Sequence, residues 1–272
     1  MLDNYNLGKT LGKGYSAEVK VGTTSDGAQH ALKIFNLADK RLALSLLHQE
    51  LDIGVLLNHE NIVRYQDFSE SSTLCLADKT TKKVAYIAQE LASGGELFDH
   101  VVKQGTLSEA QCKTFFKQMV SGVHHMHQVG FAHRDLKMEN LLLDENMTVK
   151  VADLGFACAL TDSKGPIWYS SFVGTKAYMA PEVLMQKDYL GAPVDIFSLG
   201  AILFCMRAGA MPFKEASRDD RWYQNFVKGC IHIEKFWEEH SKFKPEGFFS
   251  QEFKDLVSSM LAFDPQERPT AA

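Results

Sequence analysis

His133-Arg134-Asp135-Leu136-Lys137-Met138-Glu139-Asn140, followed after a short strand pair by Asp153-Leu154-Gly155, decides the reading of this 272-residue chain. It sets a carboxylate, an ammonium and an amide into one tight loop, then adds a second carboxylate beside a glycine. Around the loop, helical periodicity dominates: residues 108–128 lead into it, and residues 193–208 and 250–261 follow. Upstream, residues 5–11, 18–23 and 29–35 alternate or run apolar between glycine-rich turns. Residues 41–57 have helical spacing, after which residues 63–68, 74–76 and 84–90 resume strand character. The pattern predicts an α+β chain of two lobes. Residues 1–91 form a small antiparallel β-lobe with one helix, and residues 92–272 a larger, mainly α-helical lobe. The boundary falls at Ala92-Ser93-Gly94-Gly95. No internal repeat or low-complexity tract interrupts this order.

The formal net charge of -5 and the lack of a basic run argue against nucleic acid and against a membrane surface as partners. No apolar run approaches the roughly 20 residues of a membrane span, and the first residues lack the pattern of a signal peptide. Cys75, Cys112, Cys158, Cys205 and Cys230 are scattered and odd in number, which predicts a reducing setting, the cytoplasm or the nucleus. The sequon Asn146-Met147-Thr148 is discounted on that ground.

Leu11-Gly12-Lys13-Gly14-Tyr15-Ser16-Ala17-Glu18-Val19 lies on a strand-turn-strand, where glycines let backbone amides approach phosphate oxygens. A glycine-rich hairpin without a ligand is the other reading of this segment alone. A dinucleotide site would need a helix after the turn, and no P-loop run exists. In Ala31-Leu32-Lys33 an ammonium sits in an apolar strand, either reaching water or paired with a carboxylate, for which Glu50 on the next helix is the candidate. A loop bearing a carboxylate, an ammonium and an amide suits phosphoryl transfer, which must orient a hydroxyl and neutralise phosphate charge.

The order of these segments resembles the protein kinase family, and the resemblance covers almost the whole chain. It closes with Ala180-Pro181-Glu182, Asp195-Ile196-Phe197-Ser198-Leu199-Gly200 and Arg268-Pro269-Thr270. It implies the two-lobed kinase fold and transfer of the γ-phosphoryl group of ATP, with Mg²⁺, to protein hydroxyls. Within it Lys33 holds the α- and β-phosphates and pairs with Glu50, Asn140 and Asp153 bind the metal, and Asp135 accepts the substrate proton. Lys137 touches the γ-phosphate, Thr175 braces the loop, and Glu182 pairs with Arg268. The residues 11–19 cover the nucleotide, Ala31, Glu96 and Leu142 line it, Glu90-Leu91-Ala92 is the hinge to adenine, and Gln89 is the gatekeeper.

Lys137, two residues beyond the catalytic aspartate, resembles serine/threonine kinases, most closely the calcium/calmodulin-dependent and AMP-activated group, as does Gly94-Gly95-Glu96-Leu97-Phe98. The implied partner is a protein with a serine or threonine acceptor, met by a monomeric domain. Glu96 and Glu139 match acids that bind upstream basic residues in some relatives, solvated surface acids being the other reading. A scaffold that binds nucleotide without transfer is the alternative function, opposed by the presence of Lys33, Glu50, Asp135, Asn140 and Asp153. A small-molecule kinase is opposed by Gly174-Thr175.

Ala17, Leu154, Met138 and Phe197 depart from the family pattern without removing a reacting group. Gly54 stands where the family places a bulky apolar residue. The neighbouring Tyr65 either fills the gap or leaves the helix adjustable. His124-His125-Met126-His127 closes a helix and is not read as a metal site. Residues 70–83 are longer than the usual turn there. The last helix is expected to continue beyond Ala272. Of the hydroxyls between Asp153 and Glu182, Ser171 has the phosphosite spacing, Ser170 is second, and Arg134 is the implied phosphate partner.

Overall fold

The computed structural model describes residues 1–14, 17–76, 78–227 and 230–272, without the side chains of Cys230 and Ile231. Tyr15 and Ser16 of the glycine-rich turn lie outside the described residues.

The β-lobe is one antiparallel sheet of β1 (Asn6–Lys13), β2 (Ala17–Thr23), β3 (Gln29–Asn36), β4 (Tyr65–Cys75) and β5 (Thr81–Glu90), in the order β1-β2-β3-β5-β4. Period-two alternation sorts β3 cleanly. Leu32 and Ile34 face a cluster with Leu2, Tyr5, Leu74, Val84 and Tyr86, while Phe35 turns to the opposite face. Lys33 shares the face of Phe35, so alternation alone points its ammonium toward the helix packed there.

That helix is α1 (Lys40–Gly54), capped by the Asp39 carboxylate, which accepts from Leu42 N at 3.0 Å. Ala43, Leu47 and Leu51 form its buried stripe against Phe35, Ala85 and Ile87. Glu50 falls on the same side, one residue before Leu51, and is 1% exposed. The helix ends at Gly54 rather than continuing to residue 57 as the periodicity predicts; Val55 and Leu56 are exposed, and Leu57 is buried from the following loop. Residues 63–68 and 74–76, expected as separate strands, are spanned largely by one long β4, and residues 70–76 and 78–83 belong to the extended end of its hairpin with β5. The chain start covers this end: Leu2 is fully buried and bridges Leu74, and Ser72 Oγ donates to Asp3 at 2.6 Å.

The large lobe begins with β6 (Gly95–Glu96), α2 (Leu97–Gln104) and α3 (Glu109–Val129). A capping box between Ser108 and Gln111 opens α3, and Gly130 closes it with φ 99°. Short strands β7 (Phe131–Ala132), β8 (Leu141–Leu143), β9 (Val149–Val151) and β10 (Cys158–Ala159) carry the loops. Then follow α4 (Pro181–Leu184), α5 (Gly191–Ala208), α6 (Gln224–Val227), α7 (Cys230–Ser241) and α8 (Gln251–Met260). Helix α5 is apolar enough by length and composition to cross a membrane, but most of it is buried as the centre of the lobe. Arg268 clamps this core with two parallel bonds to Glu182, at 2.7 and 2.8 Å.

Candidate active site

The loop between β7 and β8 is fixed from below by one carboxylate. Asp195, fully buried on α5, accepts from His133 N at 2.9 Å, Arg134 N at 2.8 Å and His127 Nε2 at 2.8 Å. Gly191 permits this approach, since a Cβ there would lie 2.7 Å from the Ala132 Cβ. Arg134 and Asp153 both have left-handed backbones, φ 64° and 63°, a cost of roughly 1–3 kcal/mol each. At Arg134 the bonds to Asp195 offset that cost. His133 Nε2 lies 2.9 Å from Ala152 O, tying the loop to the segment that presents Asp153.

On this base the predicted residues come together. Asp135 Oδ1 accepts from Thr175 Oγ1 at 2.8 Å, and Asp135 Oδ2 accepts from Lys137 Nζ at 2.9 Å. Lys137 Nζ also donates to Thr175 Oγ1 at 3.1 Å. Asn140 donates its amide nitrogen to Asp135 O at 2.9 Å and to Asp135 Oδ2 at 3.3 Å, leaving the amide oxygen, a hard ligand, for a cation.

The second constellation descends from the β-lobe. Lys33 Nζ bonds Glu50 Oε2 at 2.5 Å and Asp153 Oδ1 at 2.8 Å. Burial alone would depress the ammonium, but the two carboxylates overcome it and raise Lys33 above its ordinary value. Burial likewise pushes the Asp153 carboxyl up, and Lys33 outweighs it, leaving Asp153 lowered and ionised at neutral pH. Among the described residues no group of three or more His, Cys, Asp or Glu side chains suits a metal ion. The ionised Asp153 carboxylate and the Asn140 amide oxygen are hard donors, which suit a cation such as Mg²⁺ that carries further oxygen ligands of its own.

The sequence profile of the protein kinase domain matches residues 5–272. This chain belongs to the protein kinase domain family. It is 35% identical over 276 residues to "Probable serine/threonine-protein kinase MARK-B" of Dictyostelium discoideum, covering 99% of this chain and 35% of that protein. It is 35% identical over 272 residues to "CBL-interacting protein kinase 11" of Oryza sativa subsp. japonica, covering 98% of this chain and 49% of that one. Against "Probable serine/threonine-protein kinase MARK-A" of Dictyostelium discoideum it is 32% identical, covering 99% of this chain and 23% of that protein. The kinase domain thus spans half or less of the length of these relatives.

In the β-lobe of the kinase domain, the β1–β2 hairpin pairs Gly12 with Val19 and Lys13 with Glu18, and Gly14 N donates to Ala17 O at 2.9 Å. A Cβ on Gly12 would meet nothing within 4 Å, so the domain's own packing does not demand glycine there. Leu11 is exposed at the end of the same hairpin. Ala31 pairs with Gln89, and Leu142 on β8 pairs with Glu96. Glu90, expected as part of the hinge, uses its backbone N–H on Arg64 O at 2.9 Å and its carboxylate on Arg64 N and Lys150. Ala92 follows it in the short connection to β6.

Glu96 lies not by itself but among acids. Burial, then Asp99 and Glu139, raise its carboxyl above the ordinary value, and Glu139 Oε2 is buried without a hydrogen-bond partner among the described residues. Arg207, on α5, is engaged elsewhere, donating to Leu107 O and lying over the Phe248 ring. In the segment between Asp153 and Glu182, Arg134 Nη1 donates to Ser171 Oγ at 3.0 Å, while Ser170 is exposed. Tyr189 Oη joins the same group, 3.2 Å from Ser171 Oγ and donating to Ser171 O at 2.9 Å.

Sequence reasoning missed Asp99, Asp195 as the anchor of the loop, and Tyr189. Asp195 had a signal in its own motif, whereas Tyr189 reaches Ser171 only through tertiary structure.

Proposed function

We propose that this domain is a serine/threonine protein kinase that transfers the γ-phosphoryl group of ATP to a protein hydroxyl. The observation that carries the reading is the Asp135 carboxylate held by Thr175, Lys137 and Asn140 at once. A carboxylate so oriented can accept the acceptor's O–H and aim its oxygen at phosphorus. A new O–P bond forms, the bond from the γ-phosphorus to the β–γ bridging oxygen breaks, ADP leaves, and the hydroxyl proton passes to Asp135. Lys137 reaches the γ-phosphate from beside Asp135, and Lys33, oriented by Glu50, holds the α- and β-phosphates. Asp153 and Asn140 would hold Mg²⁺, which when bound supplies charge neutralisation on the phosphates.

The serine/threonine preference rests on Lys137 bridging Asp135 and Thr175, and on the names of the relatives. Glu96, Asp99 and Glu139 favour substrates with basic residues ahead of the acceptor, since a cation there would relieve three crowded acids. Ser171 is the regulatory site in this reading, because its hydroxyl already lies against the Arg134 guanidinium, where a phosphate of about -1.5 to -2 charge would be held. A cytoplasmic or nuclear setting belongs to the same reading, on the cysteine usage.

The test is incubation of the Ser171-phosphorylated domain with radiolabelled ATP, Mg²⁺ and matched peptides carrying serine, threonine or tyrosine. Label should enter the serine and threonine peptides and not the tyrosine peptide. No label in any peptide would overturn the proposal.

A further inference from the structure

Helix α1 carries Glu50 to Lys33, so whatever sets this helix sets the phosphate-holding ammonium. The expected apolar side chain one turn after Glu50 is missing, and Gly54 stands there. The space is not empty. The Tyr65 ring from the start of β4 occupies it so closely that a Cβ on Gly54 would lie 2.6 Å from both Cε1 and Cζ. Real Cβ contacts do not approach so near, so the ring in this position requires glycine at 54.

The ring also brings a polar group that an apolar filler would lack. Tyr65 Oη donates to Glu50 Oε1 at 2.9 Å, and Gln89 Nε2 donates to the same oxygen at 3.2 Å. Lys33 occupies the other oxygen. Burial, then the Glu50 charge, hold the Tyr65 phenol well above its ordinary value, so it remains a donor at neutral pH. Glu50 is thus bonded from three directions, by β3, β4 and β5, and α1 is bound to the sheet through its carboxylate as well as through Leu47 and Leu51.

We infer that Tyr65 is a positioning residue. Assisted by Gln89, its hydroxyl fixes the Glu50 carboxylate and through it Lys33, and Gly54 is the residue that admits the ring. The inference rests on the kinase reading of the same site and adds to it a hydrogen-bonded support for α1 in place of a purely apolar one.

Tyr65→Phe separates the hydroxyl from the ring, because the volume over Gly54 stays filled. A hydrogen bond to a charged group lost from the transferring arrangement should lower kcat about tenfold. The KM for peptide should stay within about twofold, since Tyr65 bonds Glu50 and makes no bond to the Asp135 loop. Amide exchange across Lys40–Gly54 should quicken in the nucleotide-free domain. Gly54→Ala attacks the same contact from the helix side and serves if Tyr65→Phe does not fold. It should lower kcat even though alanine favours helix over glycine. Unchanged amide exchange over α1 in Tyr65→Phe, or for Gly54→Ala a kcat equal to or above the unsubstituted domain, would overturn the positioning role. Absence of transfer by the unsubstituted domain would instead remove the kinase reading, and the exchange measurement would still decide what Tyr65 does for α1.

Discussion

The two halves of the site are held by different physics. The Asp135 loop hangs from Asp195, a fully buried carboxylate on the central helix α5, and the loop's own backbone N–H groups make the bonds. In the Lys33 half, helix α1 is tied to the sheet by side chains, in a chain from Tyr65 and Gln89 through Glu50 to Lys33 and on to Asp153. Backbone bonds to a buried anchor leave the loop one conformation, whereas side-chain links across a helix can be made and broken as that helix shifts. The first half is therefore the fixed platform of the reaction and the second is where the site can be adjusted.

Breaking the platform should have the largest effect. Asp195→Ala leaves two buried N–H groups of the catalytic loop without an acceptor, a loss of roughly 3 kcal/mol or more in stability with transfer abolished. Thermal unfolding and the transfer assay check it. Lys33→Met breaks the adjustable half. It should lower kcat about a hundredfold while shifting the unfolding midpoint less than Asp195→Ala, because the Glu50 carboxylate keeps its bonds from Tyr65 and Gln89, and Asp153, 44% exposed, meets water.

The position of Ser171 sharpens the comparison, since it meets the platform through Arg134 without being part of it. Ser171→Ala should keep ATP affinity and lower peptide turnover about tenfold relative to the phosphorylated domain. Equal peptide turnover by phosphatase-treated, phosphorylated and Ser171→Ala forms would show that no switch exists there. The smallest effect is expected at Glu96. Glu96→Gln should raise KM a few-fold for peptides with basic residues ahead of the acceptor and leave neutral peptides unchanged. The carboxyl is raised above 4.5 by burial and by Asp99 and Glu139, so on acidification the preference for basic peptides should fade at a higher pH than an ordinary glutamate would give.

The platform was far more legible in the sequence than the adjustable half. His133 to Asn140 and Asp153 to Gly155 are local strings whose chemistry is written in consecutive residues, and period-two alternation along β3 aims Lys33 toward the helix. The extent of α1 was misread by three residues because Leu57 keeps the helical spacing while being buried from the loop after Gly54. The polar residues 69–73 give no strand signal between the two apolar runs, yet the ladder continues through Ser72 and Thr73, where the chain start supplies covering side chains, Leu2 above all. The Tyr65 ring over Gly54 was one of two readings that the sequence left open, and only the packing of β4 against α1 chooses between them. Because the ring fills that space, Gly54→Leu would overpack it and should cost roughly 1–3 kcal/mol of stability, read in thermal unfolding, rather than raise activity.

The central claim is that Asp135 aims the acceptor hydroxyl and does not grip the nucleotide. Asp135→Asn keeps the shape of the side chain while removing its charge. Transfer to a serine peptide and ATP affinity, measured on the same preparation, test the claim most directly. Transfer should fall by about 10²–10⁴-fold while ATP affinity stays within about twofold of the unsubstituted domain. Transfer and affinity falling in proportion, or transfer surviving in the variant, would contradict it.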